Sequence, residues 1–202
     1  MSKFYLIGGH DFDTKNNYIA KRLLDLTHKS NPTIVLVPLA SNDSERTISN
    51  FKREYASLNY NLITICLTLK PEKNKIIEKI NKADILYFSG GSTAFLINFL
   101  KENNLLWIID EARKRDDLII AGVSAGAIML SSYGLTDQEA YEDHGDFYNY
   151  KELEGLGILN IGFCPHFNLN DRILYFKDMV KKHSIDAYAL DEDTALYIEN
   201  NK

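Results

Sequence analysis

Cysteine is scarce in this chain. Cys66 and Cys164 are the only two in 202 residues. Both fall in apolar, strand-like runs far apart in sequence, and neither has a His or second Cys at a zinc-type spacing. They read as two buried thiols in a reducing compartment. Basic clusters with interleaved aromatics are also missing, and the formal net charge is −5. Nucleic acid and anionic membrane surfaces both demand a basic face, so neither is expected as a partner. No apolar run approaches the length of a membrane span, and the stretch in MSKFYLIGGHD is too short for a signal peptide, which leaves the cytoplasm as the expected location. Neither G-x-x-x-x-G-K-[ST] nor G-x-G-x-x-G occurs, so a phosphate- or nucleotide-binding module has little to rest on. Internal repeats, low-complexity tracts and linkers are absent too.

What is there suits one soluble domain with a sizeable core: 45% hydrophobic and 25% charged residues. Short apolar runs alternate with longer amphipathic ones. Residues 4–8, 33–38, 62–67, 84–88 and 118–122 read as buried strands. Residues 14–28, 43–58 and 72–81 carry apolar positions at three- and four-residue spacing and read as helices, with Asp43 or Ser44 as N-cap of the second and Pro71 at the start of the third. Two more helices follow at 92–101 and 105–114. Strand–helix alternation of this kind predicts an α/β fold, a mostly parallel sheet with helices on both faces. Residues 136–154 are acidic and aromatic without a period, and read as a long surface loop or a short hairpin. A strand at 158–163, a helix at 169–183 and strand-like pieces at 185–190 and 195–199 complete the chain.

The chemistry concentrates where the strand at 118–122 ends. Gly122-Val123-Ser124-Ala125-Gly126 matches G-x-S-x-G, the strand-to-helix turn that lifts a serine hydroxyl above a sheet edge. Small flanking residues are required there because the backbone is sharply bent and side chains would collide. The N–H of Ala125, in the turn before a helix-like stretch at 128–132, is placed to donate to an oxyanion.

A serine nucleophile needs a base. Of the five histidines, His28 and His183 lie near helix C-termini and read as exposed imidazoles. His10 reads as a turn residue after Gly8-Gly9. His144, flanked by Glu142, Asp143 and Asp146, lacks a regular ligand spacing and reads as part of a solvated loop, so no metal site is predicted. His166 follows a strand halted by Pro165 and so falls at the sheet's C-terminal edge, where open α/β folds bind ligands. The third member should be a carboxylate. Glu192 lies just past another strand end, with Asp191 and Asp193 beside it, and Asp137 competes.

Three segments together carry a family resemblance: Ala121-Gly122-Val123-Ser124-Ala125-Gly126-Ala127, the earlier Tyr87-Phe88-Ser89-Gly90-Gly91-Ser92-Thr93, and Pro165-His166-Phe167. Over nearly its whole length the chain resembles the serine peptidases typified by aspartyl dipeptidase (dipeptidase E) and cyanophycinase. The resemblance implies a class I glutamine amidotransferase-like fold and a Ser-His-Glu triad of Ser124, His166 and Glu192, with Asp137 as an auxiliary. It also implies that Gly90 and Gly91 complete the oxyanion hole with Ala125. After the histidine this chain departs from the aspartyl dipeptidase, running almost at once into a helix, so Arg172 is the obvious nearby cation for an acidic substrate group. The expectation is a serine-type peptidase that cuts small peptides, Asp-containing dipeptides among them, by acyl-enzyme chemistry, without a cofactor, as a monomer or homodimer. Rival readings are an isopeptidase or esterase using the same site, and a catalytically silent binding protein.

Overall fold

A computed structural model describes residues 2–10, 17–137, 150–169 and 172–199. Its main sheet has the order β10-β1-β5-β4-β2-β3, formed by β1 (Lys3–Ile7), β2 (Thr33–Val37), β3 (Asn61–Thr64), β4 (Ile85–Phe88), β5 (Ile119–Val123) and β10 (Ala195–Glu199). The first five are mutually parallel, and β10 runs antiparallel along β1. Side chains alternate across this sheet, and both sides are apolar. Phe4, Leu6, Leu86, Phe88 and Ile120 face one core, while Tyr5, Ile7, Tyr87, Ile119 and Ala121 face another. Burial on two faces explains why the strands read as continuous apolar runs; each fully buried Leu or Ile contributes about 1.5–3 kcal/mol.

Helices cover both faces, as the alternation predicts. On the second core lie α1 (Tyr18–Asp25), through Ile19, Leu23 and Leu24, and α2 (Glu45–Glu54), through Phe51. On the first lie α3 (Lys73–Lys82), α4 (Thr93–Glu102), α5 (Trp107–Arg113) and α6 (Ala125–Leu130). The Ser92 hydroxyl caps α4 by accepting from the Phe95 N–H at 3.0 Å. Ser44 holds the cap position of α2 without a side-chain bond there. The carboxylate of Asp43 instead accepts from the Thr68 N–H at 2.8 Å. Pro71 stands just outside α3, before its cap residue Glu72.

The strands do not all join one sheet. A second sheet, β7-β6-β8-β9, holds β6 (Tyr133–Thr136), β7 (Lys151–Glu154), β8 (Gly162–Cys164) and β9 (Ala187–Ala189), with α7 (Arg172–His183) between β8 and β9. The ends of the stretch expected to be a loop or hairpin therefore pair as the antiparallel strands β6 and β7. Residues 138–149, which include Glu142, Asp143, His144 and Asp146, lie outside the described residues, as do residues 14–16 of the expected first helix. The strand expected at 158–163 starts only at Gly162. Before it, Leu156 and Leu159 donate their N–H groups to the carbonyls of Met129 and Leu130. This apolar segment satisfies the open end of α6 and joins no ladder. Among the described residues no helix is long and apolar enough to cross a membrane.

Candidate active site

Most expected site residues lie at a strand's C-terminal end or in the turn that follows it, while Ala125 and Arg172 open the helices α6 and α7. Ser124 stands between β5 and α6 with φ 49° and ψ −108°, a left-handed conformation costly for any residue with a Cβ. Three hydrogen bonds hold it there. Its N–H donates to the Ile7 carbonyl at 3.0 Å, and its carbonyl accepts from the N–H groups of Ala127 and Ile128 at 3.0 and 2.9 Å. The flanking glycines are required by close approach: a Cβ at Gly122 would stand 2.5 Å from the Gly126 backbone, and one at Gly126 would stand 2.4 Å from the Phe88 carbonyl oxygen. The bend expected from G-x-S-x-G is present, although α6 begins directly after the serine and ends at Leu130.

His166 follows β8, also at positive φ (50°). Its N–H donates to the Gly8 carbonyl at 3.1 Å, and the neighbouring Phe167 N–H donates to that of Leu190 at 3.0 Å. The ring thereby enters the space between the two sheets' strand ends. Nε2 lies 3.0 Å from Ser124 Oγ, and Nδ1 lies 3.1 Å from Glu192 Oε1. Glu192, in the turn between β9 and β10, is fixed by its own N–H donating to Asn168 Oδ1 at 2.9 Å. A hydroxyl, an imidazole and a carboxylate are thus in hydrogen-bond sequence. This is the arrangement in which the imidazole can take the serine proton while the carboxylate holds its tautomer and offsets its positive charge.

Gly90 and Gly91 lie in the turn between β4 and α4. A Cβ on Gly90 would stand 3.5 Å from that of Ser124, and Gly91 has φ 140° with a Cβ position 2.3 Å from the Ala40 carbonyl oxygen. The backbone there passes close to Ser124, and both glycines line the same cleft as its side chain. Asp137 is brought to the cleft but not to the imidazole; its carboxylate accepts from Nη2 of Arg172. Arg172, the first residue of α7, is only 2% exposed, lies with its guanidinium 4.7 Å over the Tyr150 ring, and has Nε and Nη1 buried without an acceptor among the described residues.

These groups line a cleft of about 370 Å³, the size of a small-molecule site. Several of its residues carry no sequence motif. Gly9 forms part of its floor, where a Cβ would fall 2.3 Å from the His166 ring. Thr47, Asn50, Phe51 and Glu54 of α2 form a wall, and their spacing of three, four and seven residues is the one signal that could have marked them as one helix face.

His10 is a cleft residue, not merely a turn residue. Its Nδ1 lies 3.4 Å from Glu54 Oε1 and its Nε2 lies 3.3 Å from the Tyr87 hydroxyl. Burial pushes His10 down to about 4, and burial together with the nearby Asp193 carboxylate pushes Glu54 up to about 8. Both are therefore uncharged at neutral pH. Of the other histidines, His28 is exposed as expected. His183 is not: it stacks on Tyr133 at 3.5 Å and lies 2.7 Å from Glu152 Oε1. Cys66 and Cys164 are free thiols, and burial pushes Cys164 up to about 12, far from a reactive thiolate.

The model of peptidase family S51 matches residues 4–202. The chain is 29% identical over 198 residues to the uncharacterized peptidase YgaJ of Bacillus subtilis strain 168, covering 96% of this chain and 81% of that protein. Among solved structures, a peptidase from an acI-B1 Actinobacterium superposes with a TM-score of 0.69 at 23% identity, over 98% of this chain and 84% of that one. A candidate peptidase E protein of Listeria monocytogenes EGD-e superposes with a TM-score of 0.71 at 18% identity, over 100% of this chain and 96% of that one. The two superpositions share the fold.

Proposed function

The chain belongs to peptidase family S51, and from that premise we propose that it hydrolyses small peptides, dipeptides with an N-terminal acidic residue among them, through an acyl-enzyme on Ser124. The observation that carries this reading is the pair of short contacts on one imidazole: His166 Nε2 to Ser124 Oγ at 3.0 Å and Nδ1 to Glu192 Oε1 at 3.1 Å.

In this mechanism His166 takes the Ser124 proton as Oγ attacks the peptide carbonyl. Glu192 accepts from Nδ1–H and stabilises the imidazolium. The N–H of Ala125, with that of Gly90 or Gly91, holds the oxyanion. His166 then gives its proton to the leaving amine, and water, deprotonated in turn by His166, releases the acyl group. Arg172 supplies the recognition of an acidic side chain. Arg172 lines the cleft, its Nε and Nη1 have no acceptor among the described residues, and a shift of the guanidinium toward a substrate carboxylate would form charge-assisted hydrogen bonds. The modest size of the cleft favours short peptides over folded proteins. The two free thiols fit a reducing compartment, and we place the enzyme in the cytoplasm.

The test pairs hydrolysis with labelling. The purified enzyme is expected to cleave Asp-containing dipeptides and to be labelled by a fluorophosphonate at Ser124. Labelling elsewhere, or no cleavage of any dipeptide by a folded sample, would overturn the proposal.

A further inference from the structure

The α2 wall of the cleft holds a carboxyl group that the acyl-transfer chemistry does not use. The Glu54 side chain is 16% exposed and its ionic neighbour among the described residues is His10, itself 13% exposed. That partner brings no charge, because burial holds the His10 imidazole neutral. The other groups around Glu54 make matters worse for a carboxylate. Asp193, from the turn before β10, repels it, and the Tyr55, Tyr60 and Tyr87 rings that share its surroundings are neutral. Arg172, the one cation among the described residues that line the cleft, is paired with Asp137. A carboxyl kept in a ligand cleft, with no cation paired to it among the described residues, is complementary to a cation that the ligand brings.

We propose that Glu54 receives the free α-ammonium group of the substrate, so that the enzyme acts as an exopeptidase reading the N-terminal end of a short peptide. The proposal rests on the peptidase reading of the same cleft and adds a specificity residue to it. An ammonium group has three donors. The Glu54 carboxylate takes the charge, and Asn50 and Thr47, one and two turns earlier on the same helix face and lining the same cleft, offer side-chain oxygens. Empty, Glu54 holds its proton; when the ammonium arrives, the carboxylate becomes the favoured form and the proton leaves to solvent. The cleft then reads two opposite charges of one residue, its amino group on the α2 wall and an acidic side chain at Arg172.

The experiment measures binding without turnover. Aspartyl-leucine amide and its N-acetyl derivative are titrated calorimetrically into full-length Ser124→Ala protein and into Ser124→Ala combined with Glu54→Gln or Glu54→Asp. The free amine is expected to bind Ser124→Ala about 30-fold more tightly than the acetylated compound. Glu54→Gln should bring the two within about threefold, and Glu54→Asp, which keeps the carboxyl, should fall between. Equal affinity for both compounds in Ser124→Ala, loss of binding for both, or a preference that survives Glu54→Gln would overturn the assignment. A Glu54 that only braces His10 would weaken both compounds alike. Hydrolysis by the enzyme with Ser124 intact judges the peptidase reading separately: cleavage without amine preference sinks only the Glu54 assignment, and amine preference without cleavage sinks only the peptidase.

Discussion

The cleft contains two chains of the same three groups. One runs hydroxyl, imidazole, carboxyl through Ser124, His166 and Glu192 at 3.0 and 3.1 Å; the other runs through Tyr87, His10 and Glu54 at 3.3 and 3.4 Å. The same functional groups in the same order do not make the same chemistry. Ser124 stands on a strained turn and lines the cleft. The Tyr87 hydroxyl belongs to a ring 1% exposed in the sheet's own core, where burial pushes its ionisation well above the ordinary phenol range. His10 is held neutral by burial, and beside it Glu54 keeps its proton. A nucleophile is set by where the hydroxyl stands and by what can stabilise charge around it, not by connectivity alone.

The comparison breaks most sharply at the hydroxyls. Ser124→Ala should lower turnover of a dipeptide roughly 10⁶-fold, the scale on which isolated nucleophiles fail, whereas Tyr87→Phe should lower it less than about tenfold; steady-state kinetics on both variants decide. Next come the carboxyls. Glu192→Gln keeps the shape but loses the charge that supports the imidazolium, and turnover should fall roughly 10⁴-fold with little change in KM. Glu54→Gln should act mainly through KM for free-amine substrates. A kcat loss as large as that of Glu192→Gln would erase the distinction between the chains.

A buried acid–base pair of the opposite kind sharpens the point. The Arg172 guanidinium cannot give up its proton, so Asp137→Asn leaves a buried charge without its counter-ion and should cost about 3–5 kcal/mol in urea unfolding. The His10–Glu54 pair escapes that demand by being neutral, and pays in pH dependence instead. Glu54 is raised from 4.5 to about 8 and His10 is lowered from 6.5 to about 4. Glu54 therefore contributes stability that is present below pH 4.5 and lost as pH rises through 8, while the His10 contribution is present above pH 6.5 and lost as pH falls through 4. The two slopes oppose each other between about pH 4.5 and 6.5. Between pH 6.5 and 8, of this pair, Glu54 alone differs in proton count between the folded and unfolded chain, and its contribution to unfolding free energy should fall by about 2 kcal/mol there. Glu54→Gln should flatten that decline, and a decline unchanged in the variant would show that other groups cause it.

The two chains also differ in how far the sequence announces them. Gly122, Ser124 and Gly126 sit within five residues and their spacing reports a local bend, so the nucleophile is legible from its neighbours. His166 and Glu192 follow strand ends, which periodicity and Pro165 mark. The alternation of strands and helices likewise states the layered fold. None of this reaches α2. Thr47, Asn50 and Glu54 look like the wet side of an amphipathic helix, and only the folded chain reveals that this side closes over a cleft. The split into two sheets is invisible for a similar reason. Both sheets are built from the same kind of apolar run, and whether Ile158 and Leu159 extend a strand or finish a helix depends on carbonyls some thirty positions earlier. Tertiary partners decide such cases, not local pattern.

The contact between Gly9 and the His166 ring carries one more consequence. The first strand's end touches an imidazole contributed by residue 166, whose carboxylate partner comes from residue 192. A ribosome therefore builds the floor of this cleft long before it builds the groups that would arm it. During synthesis Ser124 emerges before the imidazole and the carboxylate that join it in the folded chain. Under the proposed mechanism, proteolytic competence waits for the turn that carries Glu192, a safeguard written into the order of the chain.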